Sequence, residues 1–193
     1  MEKYFDEMKL YFQRFTNLNE EDWKYIKSKY EFKEFRRNEF LTVQGFVENR
    51  TYFILEGIIR LHLDDADKNL TIDIRCPGQY ISSFSSLSGR IPSKFNLQAV
   101  TDCKVLTTTH QQLSEIYANN LAGANVGRAI VEHNFIEIEE LFVKRLSLTS
   151  TELYLEFIKN KKSHLHLIPL NYIASYLGIT PQALSRIRKN LKP

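Results

Sequence analysis

Apolar and polar positions alternate most regularly across the middle of this chain. Ile59, Leu61 and Leu63 alternate with Arg60 and His62; after turn chemistry from Asp64 to Asn69, Leu70, Ile72 and Ile74 alternate with Thr71, Asp73 and Arg75. A period of two sends successive side chains to opposite faces, so the pattern predicts a hairpin with one buried face. The stretch from Thr51 to Leu63 is rich in aromatic and branched residues and is interrupted by Gly57, and Cys76-Pro77-Gly78 ends the hairpin. Phe95 to Val100 and Cys103 to Thr107 suggest further strands. Many short strands separated by turns predict a compact roll or barrel rather than an open parallel sheet.

Helical texture flanks this region. The N-terminal forty residues read as helix up to a change of texture at Phe32, with Asn19 as a cap, acids at Glu20, Glu21 and Asp22, and Trp23, Ile26 and Tyr30 following. Helix returns from about Gln111. There Val131, Phe135, Ile138 and Phe142 are spaced four, three and four apart, a coiled-coil-like seam. Periodicity alone leaves two readings open, packing on the helix's own domain or pairing in a dimer. Another helix is expected from about Ser150 to Asn160, capped by Thr149 or Ser150, and Lys159 to Ser163 reads as a polar connector.

The most specific pattern lies at the C-terminus, from Leu170 to Lys189. Ala174 is small where two helices would cross, Gly178 can take the positive φ that ends the first helix, and Thr180 followed by Pro181 starts the second. Ile173, Leu177, Ile179, Leu184 and Ile187 supply an inward face, leaving Thr180, Gln182, Ser185, Arg186 and Lys189 outward or at the cap. This is the grammar of a helix-turn-helix, whose second helix fits the major groove. An ordinary αα-hairpin with a solvated face would share the apolar positions. The absence of acids from Leu170 to Pro193 favours DNA.

Charge sharpens that reading. From Thr149 onward seven bases (Lys159, Lys161, Lys162, Arg186, Arg188, Lys189, Lys192) face two acids (Glu152, Glu156), which makes that segment +5; the whole chain is +3, so the remainder is −2. A composition of 43% hydrophobic and 25% charged residues suits a folded protein without disulfide or metal support. The expected location is the cytoplasm, with reduced thiols, no leader and no membrane partner. The two cysteines, Cys76 and Cys103, cannot form a four-thiolate site within one chain. The five histidines lack metal-ligand spacing, with His164 and His166 in an expected loop or strand. Cys76-Pro77 reads as turn chemistry rather than a haem ligand. No Walker, dinucleotide or nucleophile-elbow motif occurs, so no catalytic residue is assigned and no enzyme is expected.

With both halves in view, the chain resembles the catabolite activator/FNR regulators over nearly its whole length. The resemblance rests on Arg37-Asn-Glu-Phe-Leu41, Gln44-Gly45, Tyr52-Phe-Ile-Leu-Glu-Gly57, Pro77-Gly-Gln-Tyr80 and Leu97-Gln-Ala-Val-Thr-Asp-Cys103. It implies an α+β architecture: a jelly-roll-like sensor of the cyclic-nucleotide-binding type (residues 1–120), a long dimerisation helix (121–148) and a helix-turn-helix DNA-binding domain (149–193). It also implies a homodimer on a two-fold operator, double-stranded DNA and RNA polymerase as partners, and Val131, Phe135, Ile138 and Phe142 as the dimer seam.

Two departures stand out. Cyclic-AMP-binding members carry Gly-Glu, then Arg-Ser or Arg-Thr, for the ribose hydroxyl and the cyclic phosphate. Aligned on Ala99 and Cys103, this chain has Ser82-Ser83 and Ser93-Lys94. Lys94 offers a point charge but not a planar fork. A small-molecule effector other than cyclic AMP, in a pocket at Ser82, Ser83, Ser93 and Lys94, is therefore expected; its identity is not written in the sequence, and neither haem nor metal is expected. On the recognition helix the family's Glu-x-x-Ser-Arg becomes Gln182-Ala-Leu-Ser-Arg186, which predicts an altered half-site. Two residues follow Leu191 in this sequence, and a full β-wing is not expected. A ligand-binding or interaction module with a cyclic-nucleotide-binding-like fold, whose DNA-binding function is lost, is the competing reading.

Overall fold

A computed structural model describes residues 2–66, 68–161 and 163–191. Lys162 and Lys192, two of the bases counted above, lie outside the described residues. The strands are β1 (Glu31–Phe35), β2 (Phe40–Thr42), β3 (Arg50–Glu56), β4 (Ile59–Asp65), β5 (Lys68–Arg75), β6 (Tyr80–Ile81), β7 (Asn96–Ala99) and β8 (Cys103–Thr109). They form two antiparallel four-stranded sheets, ordered β1-β8-β3-β6 and β2-β7-β4-β5. Tyr52, Ile54, Ile59, Leu97 and Val105 fill the space between them. This is the expected jelly-roll-like α+β architecture.

Gly57 is needed where β3 turns into β4. Its φ is +91°, and a Cβ there would lie 2.3 Å from the Asp102 carbonyl oxygen and 2.7 Å from Cys103 Sγ. Only glycine fits that approach.

The helices are α1 (Glu2–Phe12), α2 (Glu20–Lys27), α3 (Phe84–Gly89), α4 (His110–Asn119), α5 (Leu121–Ser147), α6 (Ser150–Lys161), α7 (Leu170–Tyr176) and α8 (Pro181–Asn190). Helices α1, α2 and α4 and the start of α5 pack Phe5, Met8, Phe12, Trp23, Ile116 and Val126 against Phe53 and Leu106 of the roll. Thr149 caps α6: its hydroxyl receives the Glu152 N–H at 3.3 Å, and the Glu152 carboxylate takes the Thr149 N–H at 2.8 Å. Leu165–Leu167 is a single turn of 3-10 helix, where a loop or strand was expected around His164 and His166.

The central hairpin departs from its predicted pattern. The strands run on to Asp65 and resume at Lys68, so the turn is tighter than Asp64 to Asn69. A bulge opposite Leu61 and His62 pairs Leu61 with Asp73 but His62 with Thr71, leaving Ile72 as the extra residue. One inserted residue reverses the in-out parity of the strand. Thr71 and Ile74 are consequently buried while Leu70 is exposed, rather than Leu70, Ile72 and Ile74 sharing a face. The opposite face is not solvated either, because Arg60 and His62 are only 2% and 1% exposed. Tyr172 of the C-terminal hairpin covers Arg60, while Phe40 and Asn69 lie against His62. Ile58, Ile74, Cys76 and Val100 share one core with Tyr154, Phe157, Ile173, Ala174, Leu177 and Leu184.

Candidate DNA-binding hairpin and sensor pocket

Helix α7 ends where Gly178 adopts φ +70°, and the Ile179 N–H closes the turn on the Ala174 carbonyl at 3.0 Å. Thr180 caps α8 by accepting the Ala183 N–H at 3.1 Å, and Pro181 occupies the first turn. Ile173, Ala174, Leu177 and Leu184 are buried, with Ile179 and Ile187 half-buried beside them. Thr180, Gln182, Ser185, Arg186 and Lys189 are exposed; Arg188 turns partly inward. Among the described residues no carboxylate pairs with Arg186 or Lys189. The outward face thus presents a bidentate donor, an amide, a hydroxyl and an ammonium.

Helix α7 also bridges to the roll. The Arg60 guanidinium stacks 3.7 Å from the centre of the Tyr172 ring. It donates to Asn69 Oδ1 at 2.6 Å, Gln98 Oε1 at 2.9 Å and Thr71 Oγ1 at 3.4 Å, all neutral acceptors. Burial lowers the proton affinity of Arg60 and of His62, which also feels the Arg60 charge. The Ser175 hydroxyl meets the edge strand, accepting the Thr71 N–H at 2.8 Å and donating to the Asn69 carbonyl at 3.0 Å. On its other side α7 touches α5, where Arg145 donates to the Tyr176 carbonyl at 3.0 Å. Sequence reading missed this seat because Arg60 and His62 sit at polar positions of an alternating strand, which normally face water.

A cleft of about 960 Å3 lies between the roll, α3 and α5, lined among others by Leu61, Ile81, Ser82, Ser83, Phe95, Ile130 and Val131. Ser82 and Ser83 therefore reach it. Ser93 and Lys94 do not line it: the buried Ser93 hydroxyl donates toward Ser83 Oγ at 2.8 Å and the Phe95 carbonyl at 2.7 Å, while Lys94 is exposed. Two further residues close the region. The Glu48 carboxylate, 3% exposed, accepts the Thr42 hydroxyl and the N–H groups of Asn49 (2.9 Å) and Arg50 (3.0 Å). Burial raises its pKa. Arg90 spends its guanidinium on the Glu48 carbonyl at 2.7 Å and Asn49 Oδ1 at 3.3 Å.

Arg75, Lys144, Arg145 and Lys161 are the cations that line the cleft, and Arg75 is already neutralised. Its Nε meets Asp73 and its Nη1 meets Glu137 of α5, each at 2.5 Å. Burial alone would lower Arg75, but the two carboxylates hold it charged above its ordinary range. The residues around Ser82 and Ser83 do not reproduce the ribose and phosphate contacts of a cyclic-AMP site: the Glu48 carboxylate is spent on Thr42, Asn49 and Arg50, and Lys94 is exposed outside the cleft. Among the described residues no three His, Cys, Asp or Glu side chains gather as metal ligands.

Along α5, Phe135, Ile138 and Phe142 are 60%, 59% and 63% exposed, with Val131 beside them at 39%. These four predicted positions form one uncovered apolar stripe. Such a stripe is costly in water and invites a second helix.

The chain thus runs from a β-roll through a long helix to a C-terminal helical hairpin. Residues 32–120 match the family model of the cyclic nucleotide-binding domain. No curated protein sequence matches the chain. Among solved structures, FixK2 from Bradyrhizobium japonicum is similar with a TM-score of 0.74 and 16% identity over 84% of each chain. CLP from Xanthomonas campestris, described as a c-di-GMP-responsive global regulator, has a TM-score of 0.69 and 11% identity over 90% of this chain and 91% of its own. The Thermus thermophilus catabolite activator protein has a TM-score of 0.55 and 17% identity over 92% and 85%. The resemblance to catabolite activator/FNR regulators is borne out at the level of fold. No helix among the described residues is long and apolar enough to cross a membrane.

Proposed function

We propose that this chain is a DNA-binding transcription regulator of the catabolite activator/FNR type. Two copies pair through α5 and read a two-fold operator in the cytoplasm with α8. Residues 1–120 serve as sensor, 121–148 as dimerisation helix and 149–193 as DNA reader, with RNA polymerase as a further partner. The observation that carries this reading is the outward face of α8, where Gln182, Ser185, Arg186 and Lys189 stand exposed together on a capped helix. Arg186 suits the O6/N7 edge of guanine, Gln182 suits N6/N7 of adenine, and Lys189 suits phosphate. The cleft beside Ser82 and Ser83 takes an effector other than cyclic AMP, which acts by binding one arrangement of the dimer more tightly than another.

Duplex binding should fall steeply with salt, because each neutralised phosphate releases condensed counterions. In the Arg186→Ala/Lys189→Ala double variant both the affinity and the salt slope should drop. Equal binding by that variant would favour the competing reading, an interaction module without DNA-binding function.

A further inference from the structure

We infer that Arg60, Tyr172 and Ser175 are positioning residues that fix the recognition helix to strands β4 and β5. They make the roll and the hairpin of the same chain move as one body. The inference rests on the regulator reading for what the hairpin does, but not for how it is held.

The core of the C-terminal helices is continuous with the roll. Leu184 of α8, the only fully buried residue of the recognition helix, lies in a core that includes Ile58 and Ile74 of the roll. Around that core, α7 is pinned at two polar points. Tyr172 covers the Arg60 guanidinium at 3.7 Å, and Ser175 completes the hydrogen bonding of the β5 edge at Thr71 and Asn69. An edge strand offers unpaired N–H and C=O groups, and here one hydroxyl answers both kinds.

The polar part of the seat depends on Tyr172. Arg60 is buried without any carboxylate partner, its Nε has no acceptor, and neither does His62 Nε2 beside it. A buried cation held only by neutral acceptors and a ring recovers part of its hydration when uncovered.

The same strand is held from its other side. Arg75 of β5 is joined to Glu137 of α5, and Asp73 and Arg75 border the cleft. A shift of α5 or a change in the cleft thus reaches α7 through β5, within one chain.

Hydrogen exchange on the full-length protein without DNA tests this, so that failure to bind DNA does not obscure the result. In the wild type the α7 and α8 amides should be protected as part of the roll. Tyr172→Ala and Ser175→Ala should speed exchange across residues 170–190 by at least about tenfold while β3 and β8 keep wild-type rates. Tyr172→Phe, which keeps the ring over Arg60, should behave as wild type. Glu137→Gln, on the far side of β5, should also speed exchange in the hairpin. Wild-type hairpin rates in Tyr172→Ala and Ser175→Ala, an unmoved hairpin in Glu137→Gln, or equal acceleration of β3 and β8 in the variants would overturn the inference.

Discussion

Arg75 of β5 and Glu137 of α5 meet at 2.5 Å, so an ion pair ties this edge strand of the roll to the long helix. Arg75 is largely buried and Asp73 is its second partner. Removing one carboxylate leaves a buried cation partly compensated. Glu137→Gln should lower stability by about 1–2 kcal/mol, measured as a reduced urea midpoint at unchanged slope. An unchanged midpoint would mean that the pair contributes nothing net.

The uncovered stripe on α5 predicts the assembly. Phe135→Glu together with Ile138→Glu places charge in the seam, and a symmetric seam meets the change twice. Sedimentation should show dimer for the wild type and monomer for the variant, with circular dichroism reporting an intact roll. A monomeric wild type at micromolar concentration would defeat the seam.

Base preference should follow Gln182. An amide can both donate to and accept from adenine, whereas a carboxylate only accepts, as from cytosine N4. Selection from random duplexes should show Gln182→Glu moving one half-site position from adenine toward cytosine, at a cost of about 1–3 kcal/mol on the original site. Identical preferences at every position would detach Gln182 from the bases.

Glu48 predicts a pH dependence. Burial raises its folded-state pKa above the ordinary carboxylate value, so the folded protein holds this proton more tightly than the unfolded chain does. Its contribution to stability is then greatest in acid and is lost as pH rises through the carboxylate range. Glu48→Gln cannot ionise, yet its amide oxygen can still accept from Asn49 and Arg50. Thermal melts should show the variant more stable than the wild type at about pH 7, with the difference shrinking toward about pH 4. A variant less stable at the higher pH would show that the carboxylate's hydrogen bonds outweigh its burial.

Local pattern was enough for much of the molecule. Strand alternation, the cap at Thr180, the glycines at 57 and 178 and the spacing of Val131, Phe135, Ile138 and Phe142 are written in neighbouring residues. Each is governed by local backbone geometry or by helical period, so the roll, the long helix and the C-terminal hairpin could be read directly. Long-range placement could not. Lys94 looked like a pocket cation because alignment puts it beside Ser93, but it sits in the bend before β7 and faces solvent. Arg60 looked like a surface residue, and Glu48 carried no signal at all, since a carboxylate's burial depends on residues brought to it by the fold.

What the linear chain determined by itself is the kind and order of elements, because propensity, capping and periodicity act over a few residues. Only the tertiary structure decided which face of β4 and β5 would receive the hairpin. One bulge reverses the parity of a strand, and the energy of a buried arginine depends on a tyrosine more than a hundred positions away.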